Sequence, residues 1–222
     1  GNPCKINQIK KIANKYNIYL IEDASHAHGA EFNKKKVGNF SDIAVFSCHQ
    51  RKNLSAGEGG LIVSKNALLD KRIYKLRSFG EKKLSYNYRM TEFCAAIGQN
   101  SLKNLNIENI YRIKNVKYLL KKFNFKKYFQ IILPQKNCKP TYHKLPILYD
   151  YKYFKKDISF FIKYMNNVGI PFSHPYIPLN HHSNFNIKKD RTKSFPNINL
   201  EYKKQIHFTN TFDICYKKLT EL

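Results

Sequence analysis

Cysteine pairing and long apolar runs are both missing from this sequence. The five cysteines are odd in number and scattered, and no two of them form a C-x-x-C pair. We therefore expect reduced thiols in a cytoplasmic protein and neither a disulfide framework nor a zinc site. No apolar run approaches the length of a membrane span, and the start has no signal-peptide pattern, so we expect no contact with a membrane.

The chain also lacks an initiator methionine. It opens with Gly1-Asn2-Pro3-Cys4, which is typical of a turn between two elements and not of a natural start. We expect a fragment that begins inside a domain. With 222 residues, 42% of them hydrophobic and 14% aromatic, the chain is long and apolar enough for a packed core in one large domain or two modest ones.

Acidic residues are few: 15 stand against 40 basic residues, which gives a net charge of +25. Such a charge can indicate a nucleic-acid-binding protein. Only six of the basic residues are arginine, however, and the lysines are spread along the whole chain among Asn, Ile and Tyr. A genome biased toward A·T codons would produce that pattern. We favour a solvated lysine-rich surface and expect no nucleic-acid partner, although the positive field would help to attract a phosphorylated substrate.

Helical spacing and short apolar runs alternate over the first hundred residues. The pattern predicts helices over residues 6–16, 67–76 and 91–105, and strands over 18–21, 43–46 and 61–63. Thr91 is a candidate N-cap, and residues 38–41 read as a turn. Short, continuously apolar strands between helices predict an α/β fold whose mostly parallel sheet is buried on both faces.

The pattern changes after about residue 106. It predicts a helix over 107–123, a strand over 142–148, a helix over 158–168 and a turn at 169–171; residues 174–179 form a proline-rich loop, 183–199 are polar loop, and 202–219 are weakly patterned. We predict two domains: a large α/β domain over 1–106 and a smaller C-terminal α+β domain over 107–222.

One lysine is placed between a short apolar strand and a glycine-rich turn. Lys52 follows the strand that ends near Ser47, and Gly57-Glu58-Gly59-Gly60 comes after it. A lysine whose neighbours lower its pKa can form a Schiff base with an aldehyde cofactor such as pyridoxal phosphate. That cofactor needs a carboxylate on its pyridine nitrogen, for which Asp23 at a strand end is suitable. His26 could lie against the ring, and Ser47 could bind the phosphate.

Each of these residues has a plainer interpretation when it is taken alone. Asp23 could equally be a cap or turn acid, and a single histidine such as His26 is more often an ordinary hydrogen-bonding residue. The glycines are at least as compatible with a simple strand connection, and Lys52 is one lysine of many. The order in which these residues occur favours the cofactor interpretation.

In this order the motifs closely resemble those of the DegT/DnrJ/EryC1/StrS family, which are pyridoxal-phosphate-dependent sugar aminotransferases of the aspartate aminotransferase fold. The similarity is dense from residue 1 to about 110 and looser beyond, where 145–147 and 174–179 still fit. The motifs that carry it are Ile21-Glu22-Asp23-Ala24-Ser25-His26-Ala27-His28-Gly29-Ala30, Val37-Gly38, Phe46-Ser47 through Lys52 to Gly57-Glu58-Gly59-Gly60, Tyr86-Asn87-Tyr88-Arg89-Met90-Thr91-Glu92 and Ala95-Ala96-Ile97-Gly98.

The resemblance implies a role for each matched residue. Lys52 looks like the lysine that holds the cofactor and later moves the proton, and Asp23 looks like the partner of the pyridine nitrogen. His26 stands where many members have glutamine near the cofactor hydroxyl, and Ser47 looks like a phosphate ligand. Asn87 resembles a residue that reaches the phosphate of the partner subunit, which implies a homodimer with shared active sites. The implied substrates are a nucleotide-linked keto sugar and an amino donor, glutamate or glutamine.

Two features limit what the resemblance implies. Some branches of the family replace the lysine with histidine and act as sugar dehydratases, and Lys52 argues against that branch. The family's N-terminal phosphate loop and ring-stacking aromatic residue have no match here, so this chain would hold about half of the cofactor site and be inactive alone. Two alternatives stay open: a truncated, non-catalytic relative that retains the fold, and a basic nucleic-acid-binding protein.

Overall fold

The computed structural model describes residues 1–79, 85–122, 129–174, 176–178 and 205–209. The described residues fall into two compact units: one lies within 1–111 and 134–143, and the other within 112–133 and 144–209. The domain boundary expected at residue 106 stays a prediction, as does the smaller C-terminal domain. No helix in the described part of the chain combines the length and apolarity needed to cross a bilayer.

In its described residues the first unit has three helices and two small sheets. Its helices are α1 (Ile6–Lys15), α2 (Ala67–Arg77) and the first part of α3 (Glu92–Lys122), and its strands are β1 (Ile21–Asp23), β2 (Glu31–Phe32), β3 (Lys35–Lys36), β4 (Ile43–Ser47), β5 (Gly60–Ser64) and β7 (Cys138–Lys139). The predicted helices α1 and α2 and strands β4 and β5 are confirmed to within one or two residues. The helix predicted over 91–105 begins at Glu92, where the Thr91 hydroxyl accepts the backbone N–H of Cys94 at 3.3 Å.

The main sheet of this unit has the order β1-β4-β5, with β1 parallel to β4 and β4 antiparallel to β5. The α/β character is thus present, whereas a mostly parallel sheet is not confirmed for the described strands. Cys48, Leu54, Ala56 and Leu105 form a buried cluster beside this sheet. That cluster anchors the loop after β4 against helix α3.

Burial of the outer strands was predicted wrongly. β1 begins at Ile21, later than expected, and the side chain of Ile21 is 63% exposed. Leu61, Ile62 and Val63 of β5 are also exposed. Each is an edge strand among the described strands, so it has a hydrogen-bonded neighbour on one side only, and no described helix buries these side chains.

Helix α3 is a single helix of 31 residues, whereas two helices were predicted with a break at residue 106. The prediction of a break was wrong because the sequence from Asn104 to Glu108 contains neither proline nor glycine. Without such a residue the i to i−4 hydrogen bonds continue through the change of composition.

The second unit contains an antiparallel sheet. Its strands are β6 (Phe129–Ile131), β8 (Lys144–Tyr149), β9 (Phe172–Ser173) and β10 (Gln205–Thr209), in the order β6-β8-β10-β9, and its helices are the end of α3, α4 (Tyr151–Phe154) and α5 (Ile158–Asn167). Leu145, Ile147 and Tyr149 alternate inward along β8 and are fully buried. β8 and α5 confirm predictions, and Gly169 at φ +79° confirms the turn after α5.

Some predictions concern residues outside the described ranges. These are Phe123 at the end of the second predicted helix, Pro175 and Leu179 of the proline-rich loop, the polar segment 183–199 and most of 202–219. Within the last of these, β10 is described and pairs with both β8 and β9. Its place in the sheet was not predicted.

Candidate active site

The parallel pairing of β1 with β4 brings two of the predicted site residues to one edge of the sheet. Asp23, the last residue of β1, pairs with Val45, and Ser47 ends β4 two residues further on. The backbone N–H of Ala24 donates to the carbonyl of Val45 at 2.8 Å, which ties the exit of β1 to its neighbour. The carboxyl ends of adjacent parallel strands are where open α/β sheets bind ligands.

Lys52 lies on a tight loop between β4 and β5. The N–H groups of Cys48 and Gln50 donate to the carbonyls of Gly59 and Gly57 at 2.8 and 2.7 Å, so the two ends of the loop are hydrogen-bonded together. Within it, the N–H of Lys52 donates to the carbonyl of His49 at 2.9 Å. These bonds hold the lysine backbone in a turn beside the strand ends.

The glycines after the lysine have conformational reasons to be glycine. Gly57 has φ +78° and Gly59 has φ +135°, values that residues with a side chain rarely adopt. A Cβ on Gly59 would also collide with the end of the Met90 side chain. The glycines therefore determine the shape of the loop, which supports their interpretation as a simple connection between two strands.

The charged residues of the site interact with one another. Burial lowers the pKa of the Lys52 ammonium, and the negative charge of Asp23 partly offsets that effect. Hydrogen bonds from Ser25 lower the pKa of Asp23, with smaller contributions from the positive charges of His26 and Lys52. The backbone N–H of Ser25 is 3.0 Å from Asp23 Oδ1. The carboxylate is therefore ionised near neutral pH, and the lowered pKa of Lys52 raises the fraction of its amine that is neutral.

Ser47 and Asn87 have mainly local contacts. The Ser47 hydroxyl accepts the backbone N–H of His49 at 3.4 Å. Asn87 is exposed, accepts a hydrogen bond from Arg89 Nε at 3.0 Å and forms a β-bridge with Ser78. The structure thus brings four predicted residues to the carboxyl ends of β1 and β4: Asp23, His26, Ser47 and Lys52. The described contacts of Asn87 do not join it to this group.

A buried polar network beneath these residues was not predicted. Asn53, His28, Asn109 and Thr141 are each at most 5% exposed. Asn53 Nδ2 donates to Asn109 Oδ1 at 3.2 Å and to the carbonyl of Thr141 at 3.3 Å, and Asn109 Nδ2 donates to the carbonyl of His28 at 2.9 Å. The sequence signal for Asn53 is its position directly after Lys52. Thr141 carries no such signal, because it lies 88 residues from Asn53.

His28 is the histidine of this network, and its pKa is strongly perturbed. Burial lowers its pKa to about 4, and the nearby positive charges of Lys52 and His26 contribute to the same effect. Its ring lies 5.5 Å from that of Phe46. His28 is therefore a neutral, buried residue at neutral pH, next to the site.

These residues fit a pyridoxal phosphate cofactor in the chemistry of their groups. The ionised carboxylate of Asp23 suits a protonated pyridine nitrogen, the perturbed amine of Lys52 suits an aldehyde carbon, and the hydroxyl of Ser47 suits a phosphate oxygen. Asp23 and Lys52 are close enough for each charge to act on the pKa of the other. An α/β fold with these groups at adjacent strand ends is compatible with the class of cofactor-dependent transferases.

The comparisons with known proteins agree with this class. The sequence profile of the DegT/DnrJ/EryC1/StrS aminotransferase family matches residues 1–219, and the chain belongs to that family. A UDP-4-amino-4,6-dideoxy-N-acetyl-beta-L-altrosamine transaminase of Campylobacter jejuni is 39% identical over 67% of this chain and 42% of its own length. The GDP-perosamine synthase of Escherichia coli O157:H7 is 33% identical over the same shares.

Solved structures share the fold. Helicobacter pylori PseC, an aminotransferase of pseudaminic acid biosynthesis, has a TM-score of 0.84 at 23% identity over 99% of this chain and 61% of its own. DesV of S. venezuelae, solved in complex with a ketimine intermediate, has a TM-score of 0.85 at 20% identity over 99% of this chain and 60% of its own. The chain thus spans between 42% and 61% of the length of these relatives.

Proposed function

We propose that this chain is part of a pyridoxal-phosphate-dependent aminotransferase that moves an amino group from glutamate or glutamine to a keto sugar carried on a nucleotide. The observation that carries the proposal is the parallel pairing of β1 with β4, which brings Asp23 to the strand ends from which the loop with Lys52 departs. The relatives named above, a UDP-sugar transaminase and a GDP-perosamine synthase, support a nucleotide-linked sugar as the acceptor. Such a reaction uses soluble nucleotide sugars, and we assign the protein to the cytoplasm.

Lys52 is the proposed nucleophile and proton carrier. Partial burial disfavours its charged form, which raises the fraction of neutral amine at Nζ available to attack a carbonyl carbon. As a neutral amine, Lys52 Nζ can also take up and return the proton that moves during amino transfer. Bound pyridoxal phosphate would supply the electron-withdrawing ring that stabilises negative charge on the reacting carbon.

Asp23 is the proposed partner of the cofactor's pyridine nitrogen. Its hydrogen bond from Ser25 fixes the carboxylate and keeps it ionised, so that a proton on the ring nitrogen is stabilised. Ser47 is the proposed phosphate ligand, because it lies at the end of the adjacent strand. His26, whose charge acts on Asp23, is proposed to contact the cofactor hydroxyl.

Asn87 is proposed to act in a second copy of the chain. It is exposed, and its described contacts are with its own segment. An exposed amide of this kind is available to reach a phosphate held by another subunit, which would make the enzyme a homodimer with shared active sites.

The test compares two lysines in the full-length protein. Lys52→Ala should abolish the visible absorbance of the lysine-bound cofactor and the transfer of the amino group. Lys65→Ala is the matched control, since Lys65 is exposed and its ammonium donates to the Asn39 carbonyl at 3.2 Å. A visible band of unchanged intensity in Lys52→Ala would overturn the assignment.

A further inference from the structure

A second imidazole lies against His26. The ring of His143 is 4.5 Å from the ring of His26 between centroids, with the planes tilted by 37°. His143 precedes β8 and lies 117 positions further along the chain, in the same compact unit as His26. No sequence motif marks His143 as a site residue.

The buried network fixes the orientation of the Asn53 amide. Its Nδ2 group faces two acceptors, Asn109 Oδ1 at 3.2 Å and the Thr141 carbonyl at 3.3 Å. The Asn109 amide is fixed in turn, because its own Nδ2 donates to the His28 carbonyl at 2.9 Å. Both amides therefore have one orientation that satisfies their partners, and in it Asn53 Oδ1 is an acceptor directed toward His143.

That acceptor determines where the proton of His143 lies. Asn53 Oδ1 is 3.3 Å from His143 Nδ1, and an oxygen at this place can only accept a hydrogen bond. A neutral His143 therefore carries its proton on Nδ1 and has its lone pair on Nε2. Gly29 makes room for this network, since a Cβ there would lie 2.7 Å from Asn109 Nδ2.

We propose that His143 is a positioning residue for His26, and that Asn53 selects the tautomer protonated on Nδ1 when the ring of His143 is neutral. This proposal rests on the proposed function, because His26 matters only if a cofactor binds beside it. His143 acts through its ring: the fixed imidazole limits the rotation of the His26 side chain. Asn53 adjoins Lys52, so the same network that fixes His143 also anchors the backbone next to the lysine.

The first measurement is made on the unaltered full-length protein labelled with ¹⁵N-histidine. The ring nitrogen shifts of His143 should be those of the Nδ1–H tautomer, and Asn53→Leu, which removes the acceptor, should shift them toward the Nε2–H tautomer. An Nε2–H tautomer in the unaltered protein overturns the proposal. The tautomer is measured from chemical shifts and not from enzyme activity. Its outcome is therefore independent of whether Lys52→Ala loses the cofactor band that tests the proposed function.

The second measurement separates ring packing from a general structural role. In His143→Ala the ring signals of His26 should move and kcat for amino transfer should fall by up to about 100-fold, while KM for the amino donor stays the same. His143→Phe restores a ring and should recover most of kcat. His174→Ala, at an exposed position, is the control and should change neither. A His143→Phe protein as impaired as His143→Ala overturns the proposal.

Discussion

Asp23 and Ser47 lie at the ends of two parallel strands in register, with Asp23 paired to Val45 and Ser47 two residues beyond it. At a rise of about 3.3 Å per residue, the two residues from Val45 to Ser47 place Ser47 about 7 Å beyond Asp23 along the strand direction. A carboxylate and a hydroxyl at this separation can contact two different groups of one bound molecule.

Replacing the carboxylate of Asp23 should impair catalysis more than binding. Asp23→Asn keeps the shape and the contact with Ser25 but removes the charge that stabilises a protonated ring nitrogen. We expect amino transfer to fall by about 100-fold or more, measured as kcat with saturating cofactor. Asp70→Asn in the first turn of α2 is the control and should be nearly silent. Equal activity of Asp23→Asn and the unaltered protein would rule out this role for Asp23.

Removing the hydroxyl of Ser47 should weaken retention of the cofactor. Ser47→Ala loses one hydrogen bond to a charged phosphate, which is worth about 1.5–3 kcal/mol and corresponds to roughly 10- to 100-fold in dissociation constant. Equilibrium dialysis with pyridoxal phosphate measures it. Ser55→Ala is the control, since the Ser55 hydroxyl accepts the N–H of Gly57 within the same loop. A dissociation constant no higher than that of the control variant would exclude Ser47 as a phosphate ligand.

The buried His28 should make stability depend on pH. Its pKa is about 4 in the folded protein and 6.5 in an unfolded chain. Between these values the unfolded state binds a proton that the folded state does not, so the free energy of unfolding is fully retained above pH 6.5 and falls as the pH drops toward 4. The loss attributable to His28 is about 3 kcal/mol.

Urea unfolding at pH 7 and pH 4.5 measures this effect. His28→Leu should lose most of the difference between the two pH values, whereas His174→Leu, at an exposed position, should retain it. If His28→Leu keeps the full pH dependence, the destabilisation at low pH comes from other groups.

The two loop glycines should differ in their tolerance of a methyl group. Gly57 has φ +78° and nothing lies within 4 Å of an added Cβ, so Gly57→Ala should cost about 1 kcal/mol from backbone strain alone. Gly59 has φ +135°, and its Cβ would meet the Met90 side chain, so Gly59→Ala should cost about 2–3 kcal/mol. Thermal or urea unfolding compares them. Equal losses would mean that Met90 moves aside and that the φ values do not matter.

The sequence predicted local elements well where one signal dominates. Helix α5 illustrates this: the pattern over residues 158–168 predicted it to within one residue. The structure adds a cap, in which the Asp157 carboxylate accepts the N–H groups of Ser159 and Phe160 at 2.7 and 3.0 Å. β10 was missed because Gln205–Thr209 has no comparable local signal, and its identity as a strand depends on pairing with β8, some 60 residues away.

The positions of the candidate site residues in the fold were predictable in part for the same reason. Asp23, Ser47 and Lys52 occur in short motifs at strand ends, so their proximity follows from the topology of adjacent strands. His143 could not be found in this way, because its contact with Asn53 joins positions 90 residues apart. Such a contact depends on tertiary packing, for which a single sequence carries no periodic signal. The same limit explains why exposed Ile21 was predicted to be buried.

The exposed apolar edge of β5 has a practical consequence for anyone who prepares residues 1–222 by themselves. Among the described strands β5 pairs with β4 alone, and it carries Leu61, Ile62 and Val63 in exposed positions. An apolar strand with one open side is a template on which another chain can add a strand. We therefore expect chains to associate through this strand, with turbidity that grows with protein concentration. Ile62→Lys should suppress that turbidity.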